Sequence, residues 1–471
     1  MEIRCNQFQE LSKKALKDQN LQQALKNFST LIQEKRNQAF SLLDNSEDLR
    51  EQAHAIKGEA LERLDEYLEH LEKNIIRLGG KVYWAQDAQK ARKLIETIAY
   101  EKGVKTVVKG KSMVTEEIDL NKELIARGID VSETDLGEFI IQLAGEPPSH
   151  LVGPAIHKTK GQIAELFAEK LGVRLIEDPQ EMTMVARNTL RHKFIQADMG
   201  ITGVNFAVAE TGSIVLLENE GNIRLSTTLP KIHVAVMGIE KVIPSLEDLN
   251  VFLKLLARST TGQKLSGYTS IINGPKRDGE RDGAEEFHLI ILDNGRSKIL
   301  ADKELRETLY CIRCGACLDF CPVYLKVGGH SYGWVYSGPI GSVLTPQLIN
   351  RKQASQLPFA SSLCGACAEV CPVKINIPKM LLTLRKRIIE DPHWGKPSMA
   401  EKTVFTLYAY IMRNKWLYKK VSGMARVLQI PFIKKGVLKN LPPPFNKWAH
   451  HHEVVPLEKT FRQQWREFSN K

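Results

Sequence analysis

CIRCGACLDFCPVYL, residues 311–325, and SSLCGACAEVCPVKI, residues 361–375, decide how the C-terminal half of this chain is built. The first block reads Cys311-x2-Cys314-x2-Cys317-x3-Cys321-Pro322, and the second repeats it as Ser361-x2-Cys364-x2-Cys367-x3-Cys371-Pro372. Three thiolates this close in sequence can wrap one iron-sulfur cubane and reach three of its irons, while the cysteine ahead of a proline reaches the neighbouring cluster. Two such blocks exchange their fourth ligands. Cluster 1 is expected to take Cys311, Cys314, Cys317 and Cys371, and cluster 2 to take Cys321, Cys364 and Cys367. Of the eight cysteines only Cys5 lies outside the blocks. In a reducing compartment such a gathering points to metal binding rather than to disulfides. Zinc sites more often show two separated cysteine pairs, whereas an unbroken run of soft thiolates suits iron-sulfur centres.

Ser361 stands where the second block would supply its first cysteine, so cluster 2 has three protein thiolates. A serine alkoxide, Cys5, a partner's residue, or an open or missing iron would each account for the fourth place, and the spacing does not choose among them. Two [4Fe-4S] clusters are therefore expected, the second incomplete or completed by a ligand other than cysteine. About 40 residues, from Pro322 to Ser361, separate the blocks and include the glycine-rich VGGHSYGWVYSGPIGSVLTP, residues 327–346, a longer connection than compact two-cluster ferredoxins use. Gly328, Gly329, Gly333 and Gly338 fit either tight turns or a close approach of backbone amides to cluster sulfurs. His330 reads as a surface or core histidine rather than a ligand.

Toward the N-terminus no glycine occurs before Gly58 and no proline before Pro147, and Leu21, Leu25, Phe28, Leu31 and Ile32 recur at helical steps. Two or three helices are expected up to about Gly79, with Leu61, Leu64, Tyr67, Leu68 and Leu71 as a second apolar stripe and packing as its role. From Lys81 short apolar runs such as KVYWA and KTVVKG alternate with amphipathic stretches, the rhythm of an α/β sheet. FAVAETGSIVLLENEGNIRL, residues 206–225, reads as a hairpin, and Asn294-Gly295 is a strong turn pair. A chain of 471 residues with 43% hydrophobic content can bury more than one core. The expected organisation is a helical segment over 1–80, an α/β domain over 81–300, a double-cluster module over 301–388 and a basic, aromatic region over 389–471.

The charge is unevenly spread. Of a net +11, residues 385–471 carry 18 Lys and Arg against 6 Asp and Glu, a local +12 that leaves residues 1–384 at −1. Within that region VFTLYAYIM, residues 404–412, precedes Arg413, Lys415, Lys419 and Lys420, with Trp416, Tyr418 and Phe432 interleaved. Nine apolar residues do not span a bilayer, but such a surface suits docking on anionic lipid or on a partner or electron acceptor. Nucleic acid is the less favoured partner. Pro442-Pro443-Pro444 stops any helix there. No secretory signal and no run of about 20 apolar residues is present, so a cytoplasmic protein, at most peripheral at the membrane, is expected.

The α/β region offers weaker signals. Lys109-Gly110-Lys111-Ser112 follows an apolar run and precedes a helical stretch, an arrangement that holds an anion in some proteins and is an ordinary turn in more. Glu210-Thr211-Gly212-Ser213 is a second such turn. His150 and His157 flank Pro154 in SHLVGPAIH and would suit a base and charge partner in hydroxy-acid oxidation, although structural histidines are commoner. No G-x-G-x-x-G opens the domain, so nothing argues for a resident dinucleotide. No catalytic residue is assigned.

The cysteine module resembles the helical ferredoxin modules of succinate dehydrogenase and glycolate oxidase iron-sulfur subunits. AGEPPSHLVGPAIH, AETGSIVLLENEGNIRLSTTLPKIHV, GPKRDGERDGAEEFHLIILDNGRS and SYGWVYSGPIGSVLTP, together with the two blocks, resemble the lactate utilisation protein B family over nearly the whole chain. The resemblance implies an iron-sulfur subunit that works with two companion subunits, as part of an oxidoreductase complex, in oxidising L-lactate to pyruvate. It implies the fold of CoA transferases and sugar-phosphate isomerases for the α/β part. It carries the cluster ligands onto the same seven cysteines, and the family pattern shares the serine before the second block. An isomerase or acyl-transfer enzyme with structural clusters is the competing reading, resting on fold alone.

Overall fold

Before the first strand the chain folds as four helices, Phe8–Ala15, Gln19–Ser41, Ser46–Glu62 and Leu64–Arg77, after a 3-10 turn at Cys5–Gln7. The computed structural model describes residues 2–391, 399–442 and 454–470. Asp18 starts the second helix, its carboxylate accepting the Leu21 N–H at 3.0 Å. Leu25 and Ile32 are buried as their spacing predicts, but Leu31 is half exposed, and the buried face runs on through Arg36 and Ala39. The second stripe crosses a break at Arg63 (φ −117°, ψ 37°), with Leu61, Leu64, Leu68 and Leu71 buried on both sides of it. Four helices stand where two or three were expected because the breaks at 16–18 and at Arg63 contain neither glycine nor proline.

The apolar runs that follow form ten strands: β1 (Lys81–Ala85), β2 (Thr106–Lys109), β3 (Asp130–Glu133), β4 (Met199–Gly203), β5 (Phe206–Val208), β6 (Ser213–Glu218), β7 (Ile232–Gly238), β8 (Val242–Ile243), β9 (Tyr268–Ile272) and β10 (Glu286–Leu292). Six of them make a wholly parallel sheet in the order β1-β10-β7-β4-β2-β3. Val234 at its centre pairs with Ile201 on one side and His288 on the other. A parallel strand covered on both faces reads as a continuous apolar run, and every residue of β7 is buried. The other four form a mixed sheet, β8-β5-β6-β9, in which β5 and β6 are the antiparallel hairpin read from the sequence, although the end of that stretch, from Asn222, is a helix, Asn222–Thr228, and not part of the strand. Asn294 and Gly295 both take positive φ (45° and 90°) and make a turn, but it leads from β10 into a helix, Arg296–Ala301, rather than into a second strand.

From residue 296 to 391 the described residues hold helices and 3-10 turns with no strand, including Ala316–Asp319, Tyr324–Val327, Gly338–Leu348, Ala366–Glu369 and Ile377–Glu390. One apolar core joins this region to the N-terminal helices and to one side of the sheets: Leu25, Leu61 and Leu71 share it with Phe252, Leu289, Ile340 and Leu381. A second core, with Ile95, Val107, Ile201 and Ile290, fills the other side of the six-stranded sheet. Each fully buried side chain of this size contributes about 1.5–3 kcal/mol, so the cysteine module is held by the same burial that holds the sheet.

Contacts divide the chain into Met1–Gly395 and Lys396–Lys471. Within the second unit the helices Met399–Arg413 and Lys415–Leu428 precede a two-stranded ribbon, Ile433–Lys434 with Val437–Leu438, and a last helix, Phe461–Ser469. The apolar stretch 404–412 lies on the first of these helices with Phe405, Tyr408 and Tyr410 exposed. Of the proline run, Pro443 and Pro444 lie outside the described residues. No helix among the described residues is long and apolar enough to cross a membrane.

Candidate iron-sulfur site and adjoining cavity

Both blocks form tight loops that turn into one-turn helices, and Cys314 and Cys364, at the same place in each block, lie just before a glycine that caps the helix, Gly315 (φ 82°) and Gly365 (φ 89°). Cys314, Cys317, Cys321, Cys367 and Cys371 are buried, Cys311 is half-buried and Cys364 is exposed. Their mutual influence sorts them. Burial pushes the Cys314 thiol up, and the neighbouring Cys371 and Cys311 sulfurs push it further. Cys317 is raised by burial and then by Cys311, Cys314 and Cys367. Cys321 is raised by burial with Cys364 adding to it, and Cys367 is raised to about 12 by burial and then by Cys321 and Cys364. Cys311, Cys314, Cys317 and Cys371 line one hollow, Cys321 and Cys364 are the sulfurs that act on Cys367, and the one-turn helices that carry Cys317 and Cys367 pack together. The first four frame a small hollow walled by Leu151, Ile312, Ile340 and Ile377.

These surroundings fit iron-sulfur clusters. Backbone N–H groups donate to sulfur, from Arg313 to Cys311 at 3.4 Å, from Ile375 to Cys371 at 3.4 Å and from Tyr324 to Cys321 at 3.5 Å, as cluster sulfurs require for charge stabilisation. No three His, Cys, Asp or Glu side chains among the described residues converge on a single metal ion. Thiolates that bind separate irons of a cubane are spaced more widely than ligands of one zinc. Left as thiols, the buried sulfurs would keep their protons at neutral pH, and metal binding is what removes them. Cys5 does not join either group. Its thiol is raised to about 12 by burial, with no other cysteine contributing.

The N-terminal helices reach this site, a role their stripes did not announce. Arg36 Nη2 donates to the Val370 carbonyl at 2.9 Å, and Arg50 donates to the carbonyls of Cys371 (3.1 and 2.9 Å) and Glu369 (2.5 Å). Gln33 donates to the Asp319 carbonyl at 2.6 Å, and a His54 ring nitrogen lies 3.0 Å from the Val373 carbonyl. A signal was present: Arg36 sits on the apolar stripe of its helix, four residues after Ile32, where a charged residue needs a partner.

The histidines singled out in the sequence lie at the junction between the α/β part and the first block. His150 Nδ1 accepts the N–H groups of Val152 and Gly153 at 3.1 Å each, and its Nε2 faces Asp319 Oδ1 at 3.2 Å. His157 is held by Glu146 (2.6 Å) and Ser149 (2.9 Å), its pKa lowered to about 4 by burial first and by His330 next, and His330 bonds the Pro147 carbonyl at 2.8 Å. All three are engaged in holding this junction. The linker glycines work here too. A Cβ on Gly329 would overlap the Ser149 carbonyl, and Gly333, at φ 70°, packs on the backbone of Arg4 and Cys5.

A cavity of about 350 Å³ opens along the C-terminal ends of β2, β4 and β7, where open parallel sheets bind ligands. Lys111, Glu218, Glu220, Lys241, Arg296, Arg313 and Tyr336 line it, so the loop of the first block forms part of its wall. Arg296 is buried between Glu117 (2.8 Å) and Glu240 (2.7 Å), Tyr336 donates to Glu117 at 2.6 Å, and Arg313 lies 3.4 Å from Glu240. Burial alone would raise Glu240, but Arg296, Arg313 and Lys241 hold it at about 2. Of the Lys109–Ser112 turn, only Lys111 and Ser112 face this cavity; Lys109 is buried in ion pairs with Glu133 (2.8 Å) and Glu116 (2.9 Å). Glu210–Ser213 is the β5–β6 turn, and Glu210 Oε2 accepts the Leu246 N–H at 3.1 Å.

Residues 68–292 match the LUD domain family and residues 307–375 the 4Fe-4S dicluster domain family. The class defined by fold and site is therefore an iron-sulfur protein that couples a LUD domain to a two-cluster module. Lactate utilization protein B of Shouchella clausii is 44% identical over 97% of this chain and 95% of its own length, and that of Bacillus licheniformis is 44% identical over 99% and 97%. The chain belongs to the lactate utilization protein B family. A solved duf162-family protein from Deinococcus radiodurans covers 49% of this chain and 98% of its own at 14% identity, with a TM-score of 0.27, too low to carry a fold argument.

Proposed function

We propose that this chain is the iron-sulfur electron-transfer subunit of a system, shared with two companion subunits, that oxidises L-lactate to pyruvate. That oxidation releases two electrons and two protons. Bound to the chain, [4Fe-4S] clusters would supply one-electron transfer at two adjacent stations. Cys311, Cys314, Cys317 and Cys371 would hold one, and Cys321, Cys364 and Cys367 three irons of the other. The observation that carries the reading is the hollow framed by Cys311, Cys314, Cys317 and Cys371, with the one-turn helices that hold Cys317 and Cys367 packed against each other. The inner group is enclosed and abuts the cavity wall through Arg313, while the outer group reaches the surface at Cys364, a direction suited to electrons entering from the α/β side and leaving outward.

Other parts of the reading rest on the resemblance, on the sequence pattern and on charge. The α/β part takes the fold of CoA transferases and sugar-phosphate isomerases, the cysteine module is a helical ferredoxin, and the segments divide near residues 80, 300 and 388. The basic region docks on an anionic membrane surface or on a companion, which the exposed Phe405, Tyr408 and Trp416 beside Lys419 and Lys420 support. The ligand exchange is tested with Cys371→Ala in anaerobically prepared protein. The variant is expected to lose the EPR signal of cluster 1 and to keep that of cluster 2, although Cys371 belongs to the second block. Loss confined to the other signal would contradict the assignment.

A further inference from the structure

We propose that the Ser361 side-chain oxygen is the fourth protein ligand of cluster 2. The inference rests on the reading that the two thiol groups hold clusters, and it is carried by a likeness between the blocks that goes beyond their spacing. Each block begins with a residue whose side-chain atom accepts the N–H of the residue two places on: Arg313 donates to Cys311 Sγ at 3.4 Å, and Leu363 donates to Ser361 Oγ at 3.1 Å. In both blocks that donor stands in the left-handed region, Arg313 at φ 62° and Leu363 at φ 57°, a conformation that neither side chain favours. In both, the glycine two further on is also left-handed and caps a helix of one turn, with ψ −15° at Gly315 and −16° at Gly365. The hydrogen bonds then run in parallel: Leu318 to the Gly315 carbonyl at 2.8 Å and Ala368 to that of Gly365 at 2.9 Å, followed by Cys321 to Leu318 at 3.1 Å and Cys371 to Ala368 at 3.3 Å.

Two loops with the same backbone path deliver their first side chain to the same place. In the first block that place is beside Cys314 and Cys317, with which Cys311 lines one hollow. In the second it is beside Cys364 and Cys367, and the atom delivered is Ser361 Oγ. Ser362, though also a hydroxyl, corresponds to Ile312 and is exposed. Cys5 has no cysteine neighbour that perturbs it. The backbone at Ser361 is fixed from behind, since Arg385 donates to the Ser361 carbonyl at 2.9 Å and to the Pro358 carbonyl at 2.8 Å.

Ligation exchanges the hydroxyl proton for iron, and the proton leaves through the face opened by the exposed Cys364. The Leu363 N–H then faces an alkoxide and favours the charged form. Oxygen is a harder donor than thiolate and favours ferric iron, so cluster 2 would have a lower reduction potential than the same cluster with four cysteines.

The test uses the full-length chain, reconstituted anaerobically with iron and sulfide, and compares it with Ser361→Ala, Ser361→Cys and Ser362→Ala. Wild type, S361C and S362A are expected to hold roughly eight irons, four per cubane. S361A is expected to hold about one fewer and, once oxidised, to show the EPR signal of a three-iron cluster while the cluster 1 signal is unchanged. S361C is expected to shift the cluster 2 potential upward. An S361A protein with the iron content and spectra of wild type, or a wild type that already shows the three-iron signal, overturns the ligand assignment and leaves the two-group reading standing. A protein that takes up zinc and no iron overturns that reading itself.

Discussion

At the scale of single residues the most consequential side chain outside the cysteines is Arg296. It is buried and bonded to two buried carboxylates, Glu117 and Glu240, at the wall of the cavity. Removing one member of such a group leaves uncompensated charge in a low dielectric, at a cost of about 3–5 kcal/mol. Arg296→Met is therefore expected to lower the thermal stability of the protein by an amount of that order, and adding Glu117→Gln and Glu240→Gln should recover part of it. A loss below about 1 kcal/mol, the size of an exposed pair, would show that the network is hydrated and weak. The gathering of the cysteines was legible from spacing alone, because residues two or three places apart share one loop. Arg296, Glu117 and Glu240 were not, because their pairing depends on strand order, which brings β10 beside β7 across residues far apart in sequence.

At the scale of elements, the second and third helices act as a brace for the second block. Arg36 on Gln19–Ser41 and Arg50 on Ser46–Glu62 together donate to the carbonyls of Glu369, Val370 and Cys371. A hydrogen bond from a charged donor contributes about 1.5–3 kcal/mol, so Arg50→Met is expected to speed release of iron to a chelator at least about tenfold while the far-ultraviolet circular dichroism stays unchanged. Release at the wild-type rate would mean that the loop holds its shape without the brace. The strands and the β5–β6 hairpin could be read from apolar runs and turn residues. The role of the helices could not, since an arginine on an amphipathic helix reads as solvated unless its place on the buried stripe is noticed. The turn at Asn294-Gly295 was legible as a turn, but the residues that follow it, not the pair itself, decide that a helix comes next.

At the scale of the whole molecule, charge and apolar exposure are concentrated in the unit beginning at Lys396, where Phe405, Tyr408, Trp416 and Met424 are exposed. Deleting residues 396–471 is expected to leave the iron content of the remaining chain unchanged and to abolish co-sedimentation with anionic vesicles at low salt. Retained binding would assign docking to another surface. The central claim is that electrons from lactate reach the seven-cysteine site, and it is tested most directly by mixing this chain with the two companion subunits proposed above under argon, adding L-lactate, and recording the visible bleaching and EPR signals of the clusters. Reduction by L-lactate that requires the companions is the predicted result; clusters that stay oxidised with lactate yet are reduced by dithionite would contradict it.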